Sequence, residues 1–361
     1  MRLKALLVVS AIVAGSVISA QSAVRSTALP TRDQVLSTFG TYVEALRAQI
    51  GIPGMVGAII GDTDLLWAQP FGQRDLASSD PMRADTPFQF DGLTQLVTST
   101  LVLQCLDQGT LRADTLIGTF TPSSPYATST VAQVLTHTTG ANGNLAFSYD
   151  TARLESLKFV IESCSRMTFR QAFAKSLQRL GMMDSVPGPD APLPELSNAD
   201  VAAPSDASRY RSILFRLPTP YVVDASNTPA VTSYGVKTLG AAYGLVSTIY
   251  DFAKFDLALK QDLLVRRDTR TAAWSNPVNT NGQALPHGMG WFVQNYNGEP
   301  VVWQFGMSPA VSSSLLITLP NRNVTLLLMA NSDGLAKPQS LSAGDVTVSP
   351  FARVFLGLVV K

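Results

Sequence analysis

The C-terminal third of the chain constrains the fold most. Residues 289–296, 300–305, 311–319 and 324–330 read as four strands, with Asn297-Gly298 marking one hairpin and Pro320-Asn321 another turn. Near the opposite end, residues 56–60 and 65–71 flank Gly61-Asp62, a further hairpin signal. Strands at both ends with helices between them imply one antiparallel sheet completed by the two termini, flanked by helices and carrying a helical lobe, an α+β arrangement.

The helical segments announce themselves by their caps. Thr31 with Gln34 forms a capping box, and Val35, Phe39, Tyr42, Val43, Leu46 and Ile50 follow at helical spacing until Pro53-Gly54. Further helices are expected over 131–137, over 152–165 and from the Thr168/Gln171 capping box to near Gly181. Ser247 or Thr248 caps another through Leu259, and residues 353–360 form a closing helix. Residues 185–235, rich in Pro, Ala, Ser and Asp, read as long surface connections. No internal repeat is present.

With 361 residues and a formal net charge of +1, bulk electrostatics favour neither nucleic acid nor an anionic membrane surface. Residues 1–20 have the three parts of a signal peptide: the basic MRLK, the short apolar run 5–14, and Ile18-Ser19-Ala20 fit for cleavage. The expected protein is therefore exported, periplasmic or extracellular, with residues 21–361 as one domain and no transmembrane segment after cleavage. Within it the sheet lobe spans about 31–91 and 240–361, and the helical lobe about 92–239. Cys105 and Cys164 sit in apolar helical patterns and read as two core thiols, although export makes a disulfide chemically possible. The two histidines, His137 and His287, are far apart in sequence, so no metal site is expected.

Residues 88–109, FQFDGLTQLVTSTLVLQCLDQG, read as a buried helix entered from a strand or turn. Its mouth is Gly92-Leu93-Thr94-Gln95, an unusual opening for a core helix. The phrases IPGMVGAII, LLWAQPFGQRDL, DTPFQF, LVLQCLDQGTL, VLTHTTG, GLVSTIYDFAKF, HGMGW and SSSLLITLPNRNVTLLLMANSDG supply the context. In that order, over about residues 35–335, they resemble the serine β-lactamase and penicillin-binding-protein superfamily, closest to its class C and esterase branch. The resemblance implies a β-lactamase/transpeptidase-like fold without a cofactor.

It also implies three motifs: S-x-x-K at a helix mouth, Y-x-N on the helical lobe, and K-T-G or H-x-G on a strand. The lysine, one helical turn on, takes the serine's proton; the tyrosine relays a proton; backbone N–H groups hold the oxyanion. In this chain the serine position falls on Gly92 and the lysine position on Gln95. Y-x-N falls on Tyr149-Asp150-Thr151, and H-x-G on Gln304-Phe305-Gly306. Tyr149 is the only motif side chain retained, so no catalytic set is intact. No lysine has a serine three residues before it, and neither histidine has a glycine two residues after it. Lys237-Thr238-Leu239-Gly240 lies outside the core strands and reads as coincidence.

Gly92, Gln95, Tyr149, Thr151, Gln304 and Gly306 are therefore expected to line a pocket for a small molecule or peptidoglycan peptide, in a pseudoenzyme. The alternative is a hydrolase of esters, amides or β-lactams working by unusual chemistry, with Tyr149 as base and water or Thr94 as nucleophile. A folded relic without cleft function is a third possibility. His137 and His287 read as turn residues, and Trp291 and Trp303 as core or pocket wall. A serine restored at 92 is expected to be accommodated, since its Cβ would displace nothing.

Overall fold

The computed structural model describes residues 31–140, 144–192, 204–336 and 340–360. The expected signal segment, 1–20, lies outside the described residues.

The central sheet contains β1 (Gly54–Ile60), β2 (Leu65–Asp75), β3 (Asp80–Pro81), β4 (Phe292–Tyr296), β5 (Glu299–Ser308), β6 (Ser312–Leu319) and β7 (Val324–Ala330). Its order is β4-β5-β6-β7-β1-β2-β3, and every neighbouring pair is antiparallel. The β1–β7 pairing, with Gly57 opposite Leu328, joins the N-terminal hairpin to the C-terminal meander.

The helices among the described residues are α1 (Arg32–Ile50), α2 (Thr94–Asp107), α3 (Val131–Leu135), α4 (Leu157–Ser165), α5 (Phe169–Arg179), α6 (Pro204–Leu214), α7 (Ile249–Lys260), α8 (Arg267–Ala273) and α9 (Pro350–Val359). The expected capping boxes at Thr31 and Thr168 are formed, and Thr248 caps α7. None of these helices is long and apolar enough to cross a membrane.

The sheet is covered on both faces, so β6 is buried along its whole length despite its serines, and β7 reads as a nearly continuous apolar run. Alternate residues sort to opposite sides. Met55, Ile59, Trp303, Ile317 and Leu328 pack beneath α1 and α9, where the Phe39 and Phe355 rings lie 6.1 Å apart. Val56, Ala58, Val302, Leu316 and Met329 face the helical lobe. At the centre of that lobe α2 is buried all round from Thr94 to Leu103, so its sequence shows little amphipathic contrast.

Two readings are corrected. Cys105 on α2 and Cys164 on α4 are not free thiols; they form a disulfide with a Cα–Cα separation of 6.1 Å. The cause is tertiary: α2 packs on α4 and brings two positions remote in sequence within bonding reach. The stretch 185–235 is not all connection. It contains α6 and the hairpin Tyr221–Val223 with Pro229–Val231. Its Pro and Asp content concealed a helix that packs Tyr210 and Ile213 against Val186 and Val246.

Candidate functional site

The mouth of α2 is built by a short ladder. Gln89 pairs with Val246, and Phe90 then donates its N–H to the Leu245 carbonyl. Asp91 takes a left-handed φ of 46°, and a 3-10 turn over Asp91–Leu93 leads into α2. Gly92, in that turn, lies directly against β5. A Cβ there would stand 2.5 Å from the Phe305 carbonyl oxygen and 3.1 Å from the Gly306 Cα. At Gly306 a Cβ would meet the Gly92 nitrogen and the Phe90 carbonyl oxygen, each at 2.7 Å. Two glycines thus let a helix mouth and a strand meet backbone to backbone. The expectation that a serine fits at position 92 is corrected, because the space its Cβ needs is filled by the strand.

Behind this contact the two glutamines close a buried hydrogen-bonded chain. His137 Nδ1 lies 3.0 Å from the Asp150 carbonyl and 3.1 Å from the Asp150 N–H; in the tautomer that accepts from the N–H, Nε2–H donates to Gln95 Oε1 at 3.5 Å. Gln95 Nε2 donates to the Tyr149 hydroxyl at 3.0 Å, and that hydroxyl donates to Gln304 Oε1 at 3.5 Å. Gln304 Nε2 donates to His287 Nε2 at 3.2 Å, and His287 Nδ1–H ends the chain on the Gly288 carbonyl at 2.7 Å. One direction of donation satisfies every member with no net charge.

The electrostatics agree with a neutral chain. Burial, reinforced by the nearby Arg153 charge, pushes His137 down to about 4. Burial and the neighbouring His137 hold His287 well below the ordinary histidine value. Burial pushes the Tyr149 phenol up to about 12, against the opposing hydrogen bond from Gln95. At neutral pH none of the three carries charge. The His137 and His287 rings pack edge to face with centroids 4.7 Å apart. Sequence reasoning placed both histidines in turns and missed that they bracket this chain. The family motif gives no signal for them, because neither occupies a motif position.

A cavity of about 470 Å³ opens beside the mouth. Gly92, Tyr149 and Thr151 line it, together with Tyr243, Phe305 and Met307. Gln95 and Gln304 do not line it; both are fully buried in the chain behind it. Gly306 is buried at the strand contact. Asp91 borders the cavity with its carboxyl turned inward, where Ser312 Oγ donates to Oδ2 at 2.7 Å. Burial raises that carboxyl to about 7, against hydrogen bonds from Ser312 and Ser308. Thr94 is fully buried and accepts the Leu245 N–H at 3.2 Å, so its hydroxyl faces away from the cavity. Thr238 lies in a loop and donates to Asp190, so residues 237–240 are not part of the site.

The family model described as Beta-lactamase matches residues 39–344. Penicillin-binding protein 4 of Amycolatopsis lactamdurans is 30% identical over 129 residues, covering 34% of this chain and 33% of that protein. This match therefore spans about a third of that relative's length. Penicillin-binding protein 4* of Bacillus subtilis (strain 168) is 22% identical over 324 residues, covering 81% of this chain and 71% of that protein. Among solved structures, D-amino acid amidase from Ochrobactrum anthropi SV3, complexed with L-phenylalanine amide, superposes with a TM-score of 0.67 at 16% identity. That superposition covers 90% of this chain and 98% of the amidase. At such identity the likeness carries the fold alone. These matches bear out the resemblance carried by the eight phrases and the expected α+β architecture.

Proposed function

On the premise that this chain belongs to the beta-lactamase family, we propose that it is a non-catalytic, exported member that binds a small ligand in the cavity beside the α2 mouth. The reading rests on one observation: the Phe305 carbonyl oxygen lies 2.5 Å from the position of a Cβ on residue 92, so neither a nucleophile nor its acyl adduct fits there. Loss of a serine nucleophile alone costs such hydrolases on the order of a millionfold in rate. The remaining groups do not replace it. An amide at Gln95 accepts no proton at neutral pH, a phenol held near 12 is protonated, and Thr94 faces away.

Ligand class follows from the cavity wall. Its volume of about 470 Å³ suits a small molecule, with Tyr149, Tyr243 and Phe305 as apolar surfaces and Thr151, Ser308 and Ser342 as hydrogen-bonding groups. An amino-acid amide or a short peptidoglycan peptide has that mixture of groups. Export is inferred from the basic-then-apolar N-terminus and fits the Cys105–Cys164 disulfide, since such bonds persist in oxidising compartments.

The experiment pairs labelling with binding. We expect no covalent adduct with a fluorescent penicillin or a fluorophosphonate by intact-mass spectrometry, and saturable binding of D-alanyl-D-alanine or an amino-acid amide by calorimetry. A stoichiometric adduct would overturn the non-catalytic reading. Absence of binding, or binding unaffected by Thr151→Tyr, would overturn the cavity assignment.

A further inference from the structure

We propose that the groove around the Cys105–Cys164 disulfide is a second binding site, built for an amphipathic anion with an apolar chain and a single anionic head. This groove, of about 620 Å³, lies on the helical lobe and shares no lining residue with the cavity beside the α2 mouth. Its floor is apolar: Leu101 and Ile161 are buried there, and the disulfide forms part of the wall. Leu263, on the rim, leaves 72% of its surface exposed, an unpaid apolar area at the edge of an apolar floor.

The charge around the groove is one-sided. Lys175 and Arg179 stand one turn apart on α5, so they lie on the same helix face, and both line the groove. Neither forms an ion pair among the described residues. Among the described residues Asp107 is the one acidic residue in the lining, and it is already engaged. It accepts the Arg266 N–H at 2.6 Å, the Arg266 guanidinium at 3.2 Å and the Thr269 hydroxyl. Burial works against its charged form, but those hydrogen bonds outweigh it and hold the carboxyl below its ordinary value. The groove therefore presents two uncompensated cations above an apolar floor. A neutral chain would leave the cations unused, and a cationic amphiphile would be repelled.

The test displaces 1-anilinonaphthalene-8-sulfonate from the protein with three chain-matched amphiphiles: decanoate, decanol and decyltrimethylammonium. Decanoate should compete best. Lys175→Ala with Arg179→Ala should weaken it by roughly five- to tenfold, the scale of two exposed ion pairs. Leu263→Ser should weaken decanoate too, while Thr151→Tyr, which narrows the other cavity, should leave it unchanged. Circular dichroism and thermal melts check that the variants fold. Cosedimentation with phosphatidylglycerol vesicles, lost in the double variant, would identify a bilayer lipid as the source of the anion; competition by free decanoate without vesicle binding would identify a free fatty acid. The proposal is overturned if decanol or the cation competes as well as decanoate, if none of the three competes, if the double variant is unchanged, or if Thr151→Tyr abolishes competition.

Discussion

Phe305 and Gly92 touch through backbone: the carbonyl oxygen of the one lies 2.5 Å from where the other would carry a Cβ. The obstacle is backbone of β5, paired at Phe305 with Leu315 of β6 while its pairing with β4 ends at Trp303, so it yields less readily than the tip of a side chain. Gly92→Ala should therefore cost about 1–3 kcal/mol, the range of overpacking in a well-packed interior. Urea unfolding measures it. A loss of less than about 0.5 kcal/mol would mean that the strand moves aside freely.

Tyr149→Phe removes the hydroxyl between Gln95 and Gln304. Gln304 Oε1 keeps the Phe305 N–H at 2.9 Å, but Gln95 Nε2 loses its acceptor in a buried setting. The expected cost is about 1–3 kcal/mol, the desolvation penalty of one orphaned donor. In a double-mutant cycle, adding Gln95→Leu removes that orphaned donor but takes the acceptor from His137 Nε2–H, so the two losses should be less than additive. Strictly additive losses would show that the two side chains are not coupled.

Stability should depend on pH through three buried groups. His137 titrates near 4 in the fold against 6.5 ordinarily, and His287 is also lowered. Between those values the unfolded chain takes up protons that the folded one does not. Their contribution is therefore present above pH 6.5 and lost as pH falls toward 4. Asp91 acts oppositely. Raised from 3.8 to about 7, it favours the fold most below 3.8, and that contribution is lost as pH rises through 7. Asp91→Asn removes the opposition, so the variant should lose stability more steeply between pH 6.5 and 4.5, by up to about 1.4 kcal/mol per pH unit. Urea midpoints across a pH series decide it. Parallel curves for the two proteins would exclude an ionising Asp91.

The disulfide links positions 59 residues apart. Closing a loop of that length restricts the unfolded chain by about 4 kcal/mol on the chain-entropy account. Cys105→Ser with Cys164→Ser should lower the melting temperature by a corresponding amount, and dithiothreitol should do the same to the unmutated protein. A melt insensitive to both would show that α2 and α4 are held by packing alone.

Much of this was legible along the chain. The strand runs, the capping boxes at Thr31 and Thr168, and the Thr248 cap depend on periods and local side-chain reach, so the residues themselves determine them. The eight phrases carried the family resemblance, from which Gly92, Gln95, Tyr149 and Gln304 were expected at the motif positions, because a motif is a statement about neighbours in sequence. Helix α6 escaped because its packing partners, Val186 and Val246, are remote from it in the chain.

Tertiary structure decided the rest. Which side chains complete the site depends on distances between elements, and no local pattern encodes these. The pairing of Cys105 with Cys164 needed α2 to lie on α4. The chain from His137 to His287 needed the α2 mouth, the segment around Tyr149 and β5 to converge, after which burial set its three depressed or raised titrations. Composition shows only that Gly92 lacks a nucleophile. The approach of β5 is what leaves no room for one, because two glycine positions let backbones meet at a distance that any Cβ would forbid.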